Sequence, residues 1–221
     1  MTALTVVSWN TQYRDPEQLE LGAMLDAVRP DILLLQEALG QQVSEALPAE
    51  FVTRCFWQWP GWDLGVMIAS RLPLESSGSI AAAGEPWDRE RVCWARLSTT
   101  SGPFTAMAIH LTPPMRSRLH QRRDAQRVAL GEYVAHLAAA GERFVVGGDF
   151  NTINPKLPAV VDVCEPGARK ATWRHEYAKW LPPLLRLDAM FVSPQIKILD
   201  GHADSRWRAS DHVPVTARLA L

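Results

Sequence analysis

Cysteine is scarce in this chain: its 221 residues hold three, Cys55, Cys93 and Cys164. The number is odd and no two form a C-x-x-C pair, which argues against a disulfide scaffold or a structural zinc site. Cys55 and Cys93 lie in apolar, strand-like stretches and read as small buried hydrophobes. Net charge is nearly missing too: Lys plus Arg number 23 against 24 acids, a balance of −1. A balance so near zero argues against a strong grip on long duplex DNA regardless of sequence, which usually comes with a basic surface. No apolar run is long enough to span a bilayer. The N-terminus has no basic region followed by a long hydrophobic segment, so no signal peptide is visible and the cytoplasm is the expected compartment. Repeats, low-complexity tracts and long linkers are absent as well. What remains is 47% apolar and 21% charged, the make-up of a soluble globular protein. The length suits one large domain over residues 1–221 with a substantial core.

Hydrophobic patterning divides the chain into short strands and a few helices. Asp15-Pro16-Glu17-Gln18 is a helix start, with Asp as cap, Pro at the first position and Gln three residues after the cap. That helix is expected to run to about Val28, ending before Pro30. Strands are expected over residues 32–36, around 51–55, and over 64–69, 92–97 and 104–109. Thr100-Ser101-Gly102-Pro103 joins the last two as a hairpin-like turn. A long helix follows over 117–139, then strands over 144–146, 188–192, 197–200 and 213–219. Strand pairs punctuated by few helices predict an α/β protein with mixed sheets.

Gly147-Gly148-Asp149-Phe150-Asn151-Thr152 is the richest segment. It follows the apolar run Phe144-Val145-Val146, and two glycines there allow a sharp backbone turn. Asp149 and Asn151, two apart, point to one side at strand-like spacing. A carboxylate can hold or deprotonate a water while a carboxamide orients it or a phosphoryl oxygen. Taken alone, the segment is equally an ordinary turn. Five other apolar runs also carry a polar residue at one end: Trp9-Asn10, Gln36-Glu37, Ile109-His110, Leu187-Asp188 and Ser210-Asp211-His212. Sheet ends are where α/β folds gather their sites. Six such ends drawn from Asn, Asp, Glu and His suggest one metal-assisted hydrolytic centre.

In order and spacing, these motifs resemble the endonuclease/exonuclease/phosphatase superfamily, and the resemblance runs from Asn10 to His212. That group includes deoxyribonuclease I, abasic-site endonucleases, neutral sphingomyelinases, inositol polyphosphate 5-phosphatases, deadenylases and tyrosyl-DNA phosphodiesterase 2. The resemblance implies a four-layer α/β sandwich, two packed mixed β-sheets flanked by helices, with the site at one edge. It implies catalytic roles for His110, Asp149, Asn151, Asp188 and His212, with His212 paired to Asp188. Glu37, Asn10 and Asp211 would hold Mg²⁺ or Mn²⁺, hard ions that prefer oxygen ligands. His110, where abasic-site endonucleases carry Tyr, places the chain nearer to deoxyribonuclease I and the phosphatases. Glu90 is a candidate to orient His110, and a solvated charge is the alternative.

Substrate contacts are less sharply marked. Arg116, Arg118, Arg122 and Arg123 crowd a helix start, where positive charge opposes the helix dipole unless an anion is near. Arg118 and Arg122 are therefore candidate phosphate contacts. Nine tryptophans include several in loops, where rings stack bases or simply pack. Trp173, in a Thr-Trp pair similar to one at the rim of family sites, is a candidate substrate contact. The expected activity is metal-assisted hydrolysis of a phosphodiester, nucleic acid ranking first. A small phosphorylated molecule or lipid head group ranks second, and a catalytically silent binding module third. The expected state is a monomer.

Overall fold

The computed structural model describes residues 3–80, 91–114, 117–164, 171–178 and 180–221. Its strands are β1 (Ala3–Asn10), β2 (Ile32–Ala38), β3 (Thr53–Gln58), β4 (Gly65–Ser70), β5 (Leu74–Ser79) and β6 (Val92–Thr99). They continue with β7 (Gly102–His110), β8 (Phe144–Asp149), β9 (Val161–Asp162), β10 (Asp188–Val192), β11 (Lys197–Ala203) and β12 (Val215–Ala220). The helices are α1 (Leu21–Val28), α2 (Gly40–Ala46) and α3 (Ser117–Ala139).

Side-chain alternation explains the layering. In β1, Leu4 and Val6 enter one apolar cluster while Val7 and Trp9 enter another; in β2, Ile32 and Leu34 part from Leu33 and Leu35 in the same way. Strands buried on both faces carry apolar residues nearly throughout. The first cluster lies between two six-stranded sheets, and the second lies between one sheet and α1 and α2. A third holds Met107, Phe144 and Val146 against Leu130, Val134 and Leu137 of α3, which recur at helical spacing. The result is the expected four-layer sandwich. Strand order is β11-β12-β1-β2-β4-β3 in one sheet and β5-β6-β7-β8-β10-β9 in the other. Each sheet contains one parallel pair, β1 with β2 and β7 with β8, and α1 and α3 supply the crossovers. All other ladders are antiparallel. Among the described residues, no helix is long and apolar enough to cross a membrane.

The structure corrects three expectations. Asp15 does accept the Gln18 N–H at 2.8 Å, but it caps one turn only, and α1 begins at Leu21. Glu20 between them is left-handed, with φ 54°. In a continuous helix Leu19 and Leu21 would project about 200° apart; the kink lets both bury, at 0% and 2% exposure. Second, Gly147 and Gly148 make no turn, since both pair within β8. A Cβ on Gly147 would meet Leu34 Cδ1 at 2.9 Å and Ser8 Cβ at 3.0 Å across the sheets, so this glycine sets how closely the sheets pack. Gly148 has φ 153°, and a side chain there would overlap the Ile109 carbonyl. Third, Cys55 is only half-buried, while Cys93 is buried as expected.

Candidate active site

Four site residues come from matching places in the two sheets. The parallel pair β1/β2 ends at Asn10 and Glu37, with Asn10 in register with Gln36. The parallel pair β7/β8 ends at His110 and Asp149, in register with each other. Carboxyl ends of parallel strands are where open α/β sheets bind ligands. Antiparallel pairing sets Asp188 of β10 beside Asp149. His212 approaches β1 from just before β12, where its carbonyl accepts the Trp9 indole N–H at 3.0 Å. Ser210 fixes this approach: its hydroxyl donates to the Asn10 carbonyl at 2.8 Å and accepts the His212 N–H at 3.0 Å. Glu37 and Asn151 are left-handed, with φ 51° and 48°, a backbone strain that clusters at functional sites.

One oxygen stands at the centre. Asp149 Oδ2 lies 3.2 Å from Asn10 Nδ2, 3.7 Å from His110 Nε2 and 3.8 Å from His212 Nε2. Asp149 Oδ1 accepts the Asn151 N–H at 2.7 Å. Asn10 Nδ2 also donates to Glu37 Oε1 at 3.2 Å, and Asn10 Oδ1 accepts the Gln12 N–H at 3.0 Å. That last bond settles which way the amide points. Asn10 thus bridges the carboxylates of the two sheets.

The two imidazoles differ in charge because their neighbours differ. His212 Nδ1 is 2.7 Å from Asp188 Oδ2. Burial alone disfavours its proton, but Asp188 and Asp149 outweigh that and the pKa is pushed up to about 10. His212 is therefore charged at neutral pH. His110 Nδ1 instead faces Arg91 at 2.9 Å. A guanidinium only donates, so Nδ1 accepts and the proton of a neutral ring sits on Nε2. Burial first, then the charges of Arg91 and His212, hold the His110 pKa well below its ordinary value. Its Nε2 points toward Glu37 Oε1 at 3.4 Å. Burial pushes the Glu37 carboxyl up, against the Asn10 hydrogen bond and nearby cations. Burial also pushes Asp149 up to about 7, partly opposed by His212.

A sequence profile of the Endonuclease/Exonuclease/phosphatase family matches residues 7–212. The chain belongs to this family. A comparison with curated proteins finds no match. Among solved structures, TDP2 from C. elegans is similar at 19% identity and TM-score 0.78, over 99% of this chain and 75% of that one. A D. rerio TDP2 complexed with single-strand DNA product is similar at 19% identity and TM-score 0.73, over the whole of both chains. The endonuclease/exonuclease/phosphatase from Bacteroides vulgatus is similar at 17% identity and TM-score 0.74, again over the whole of both.

Within this family fold, the residues singled out from sequence come together unequally. Asn10, Glu37, His110, Asp149, Asn151, Asp188 and His212 form one connected cluster. Asn151 Nδ2 donates to the Leu111 carbonyl at 2.8 Å and lies 3.4 Å from His110 Nε2. Asp211 stands at the rim, where its Oδ2 accepts the Trp173 indole N–H at 3.2 Å. Trp173 bridges to His212 and Leu185, and the neighbouring Thr172 hydroxyl accepts the Asp188 N–H at 2.9 Å. Glu90 and Arg116 lie outside the described residues, as does the side chain of Arg118. Arg122 is half-buried on α3. Its neighbour Arg123 reaches the site loop, donating to the Asn151 carbonyl at 2.9 Å.

Sequence reasoning missed Arg91 and did not single out Trp59 from the other loop tryptophans. Trp59 stacks on His110 with centroids 5.0 Å apart and planes 23° from parallel. The Arg91 guanidinium lies 4.3 Å above the Trp59 ring. One signal for Arg91 was available. Val92 pairs with Ile109 in the β6–β7 ladder, so extending the hairpin register by one residue sets Arg91 opposite His110.

Proposed function

We propose that this protein is a divalent-metal-dependent phosphoesterase that hydrolyses a phosphodiester in nucleic acid by in-line attack of water. The observation that carries this reading is the buried Asp149 carboxylate, with a nitrogen from each of Asn10, His110 and His212 turned toward one oxygen. Asp149, with a pKa near 7, suits a general base, since proton transfer works best when that value matches the working pH. The charged His212 and the neutral Nε2–H of His110 both face the same spot and suit stabilisation of a phosphoryl group gaining negative charge. Asp188 holds the His212 ring and its proton, as carboxylates do in His–Asp pairs.

The donor set also fits a hard divalent cation. Burial makes the Glu37 carboxylate costly to ionise, and a cation beside it would relieve that cost. Glu37 would hold Mg²⁺ or Mn²⁺, which would supply charge neutralisation at the phosphoryl oxygens, leaving Asp149 to take the proton of the water. Asp211 adds negative charge facing Glu37. Asn10, a candidate ligand by sequence, presents its amide N–H to both carboxylates and keeps them apart.

Nucleic acid stands first among substrates because exposed aromatic side chains border the site, Trp62 at 65% and Tyr177 at 86% exposure. A panel of single strands, duplex, RNA, inositol phosphates and sphingomyelin, with Mg²⁺ and with excess EDTA, tests the reading. Hydrolysis of a nucleic acid that stops in EDTA is expected. Cleavage that persists in EDTA with metal content verified absent overturns the mechanism, and preference for a lipid or inositol phosphate overturns the substrate.

A further inference from the structure

The β2–β4 ladder is irregular where β2 reaches the site. Leu35 pairs with Met67 and Ala38 with Gly65, so two residues, Gln36 and Glu37, face the single Val66. Such a bulge re-aims a side chain and is common beside active sites. Here it falls on Glu37, whose backbone is left-handed with φ 51°. A residue other than glycine keeps that conformation only where its surroundings over-determine it. The segment after β1 supplies those surroundings. The Thr11 N–H donates to the Gln36 carbonyl at 2.8 Å, and the Tyr13 N–H donates to the Glu37 carbonyl at 3.0 Å. Thr11 is fully buried, and its hydroxyl donates to both carbonyls, lying 3.0 Å from each.

We propose that Thr11 is a positioning residue whose hydroxyl pins the strained Glu37 backbone and so sets how tightly the site binds a divalent cation. This rests on the metal reading above, in which Glu37 holds the ion. The two carbonyls belong to the peptide planes on either side of the Glu37 Cα. Each plane is rigid, so the angle between them is the φ and ψ of Glu37. One hydroxyl bonded to both planes fixes that angle, and with it the direction of the carboxylate. Without it the backbone would have to be ordered as the ion binds, at the expense of affinity. Groups that orient a metal ligand without touching the ion are typically worth about tenfold to a hundredfold in affinity.

The test is calorimetric titration of Mn²⁺ into the unmodified protein and four variants. Thr11→Val keeps the branched shape and removes only the hydroxyl. Each carbonyl retains its backbone donor, so this variant should fold, with a native circular dichroism spectrum in EDTA. Its Mn²⁺ dissociation constant should rise about tenfold to a hundredfold. Thr11→Ser retains the hydroxyl and should bind Mn²⁺ nearly as the unmodified protein does. Glu37→Gln should also weaken binding. Thr11→Val added to Glu37→Gln should cost little more, because the hydroxyl acts through Glu37. An unchanged dissociation constant in Thr11→Val, a Thr11→Ser protein as weak as Thr11→Val, losses that multiply in the double variant, or a Thr11→Val protein that does not fold would each overturn the proposal. The metal reading fails on a different result. A folded, unmodified protein that takes up no Mn²⁺ overturns that reading, and the proposal falls with it.

Discussion

His212 and Asp149 sit 3.8 Å apart with opposite needs. In the proposed mechanism the imidazole keeps its proton to stabilise a phosphoryl group, and the carboxylate loses its own to act as a base. With His212 near 10 and Asp149 near 7 before a cation binds, kcat/KM should be bell-shaped, its alkaline limb near 10 and its acid limb below 7 once the cation is bound, both owned by the coupled pair rather than by either residue. Asp188→Asn removes the main opposing charge and should move the alkaline limb to lower pH; a limb indifferent to Asp188 breaks the dyad assignment. Stability follows the same groups with definite signs. The folded pKa of His212, about 10, exceeds its unfolded value of roughly 6.5. Its contribution is full below that value and is lost as pH rises through about 10. The folded pKa of Asp149, about 7, also exceeds its unfolded value of roughly 3.9. The fold therefore favours the neutral acid: that contribution is full below roughly 3.9 and is lost as pH rises to about 7. Asp149→Asn should consequently cut turnover by about 10²–10⁴-fold while raising the metal-free Tm above pH 7. A lower Tm there, read by calorimetry, would show the carboxylate to be a structural partner instead.

Most elements were legible because apolar periodicity reports burial. β2, β6, β7, β10 and α3 fall where the pattern sets them. β5 was not legible: Leu74-Glu75-Ser76-Ser77-Gly78-Ser79 is largely exposed at a sheet edge and shows no alternation. The two glycines of β8 misled because glycine marks both turns and close approaches. For Gly147 only the facing sheet, over a hundred residues away in sequence, reveals the close approach, and for Gly148 it is Ile109 of the adjacent strand. On α3, the arginine cluster was legible as charge, but which member faces the site was not. Arg123 ties the helix to the left-handed Asn151. Arg123→Ala should lower kcat about tenfold to a hundredfold through misplacement of that loop, with a smaller loss of Tm from removing its side chain, which is only 14% exposed. A Tm loss in proportion to the kcat loss would mean that Arg123 holds the fold, not the loop.

At the scale of the molecule, the six polar strand ends that converge in one cluster were legible in the sequence, while the pairing of the sheets was not. Local pattern shows that both faces of β1 and β2 are buried; it does not show what buries them. The four-layer arrangement came from family resemblance, and the structure bears it out through the three clusters between layers. Each sheet supplies half the site: Asn10 and Glu37 from one, His110, Asp149 and Asp188 from the other. The hydrogen bond from Asn10 to Asp149 spans the seam. A slip of one sheet over the other by an ångström leaves every ladder and nearly all apolar burial intact, yet parts the two halves of the chemistry. The protein is built like a clasp, and a clasp springs open long before its plates bend. In a urea series, activity should therefore vanish at a lower concentration than far-UV circular dichroism, and return at once on dilution. Coincident midpoints would mean that the seam yields only with the sheets themselves.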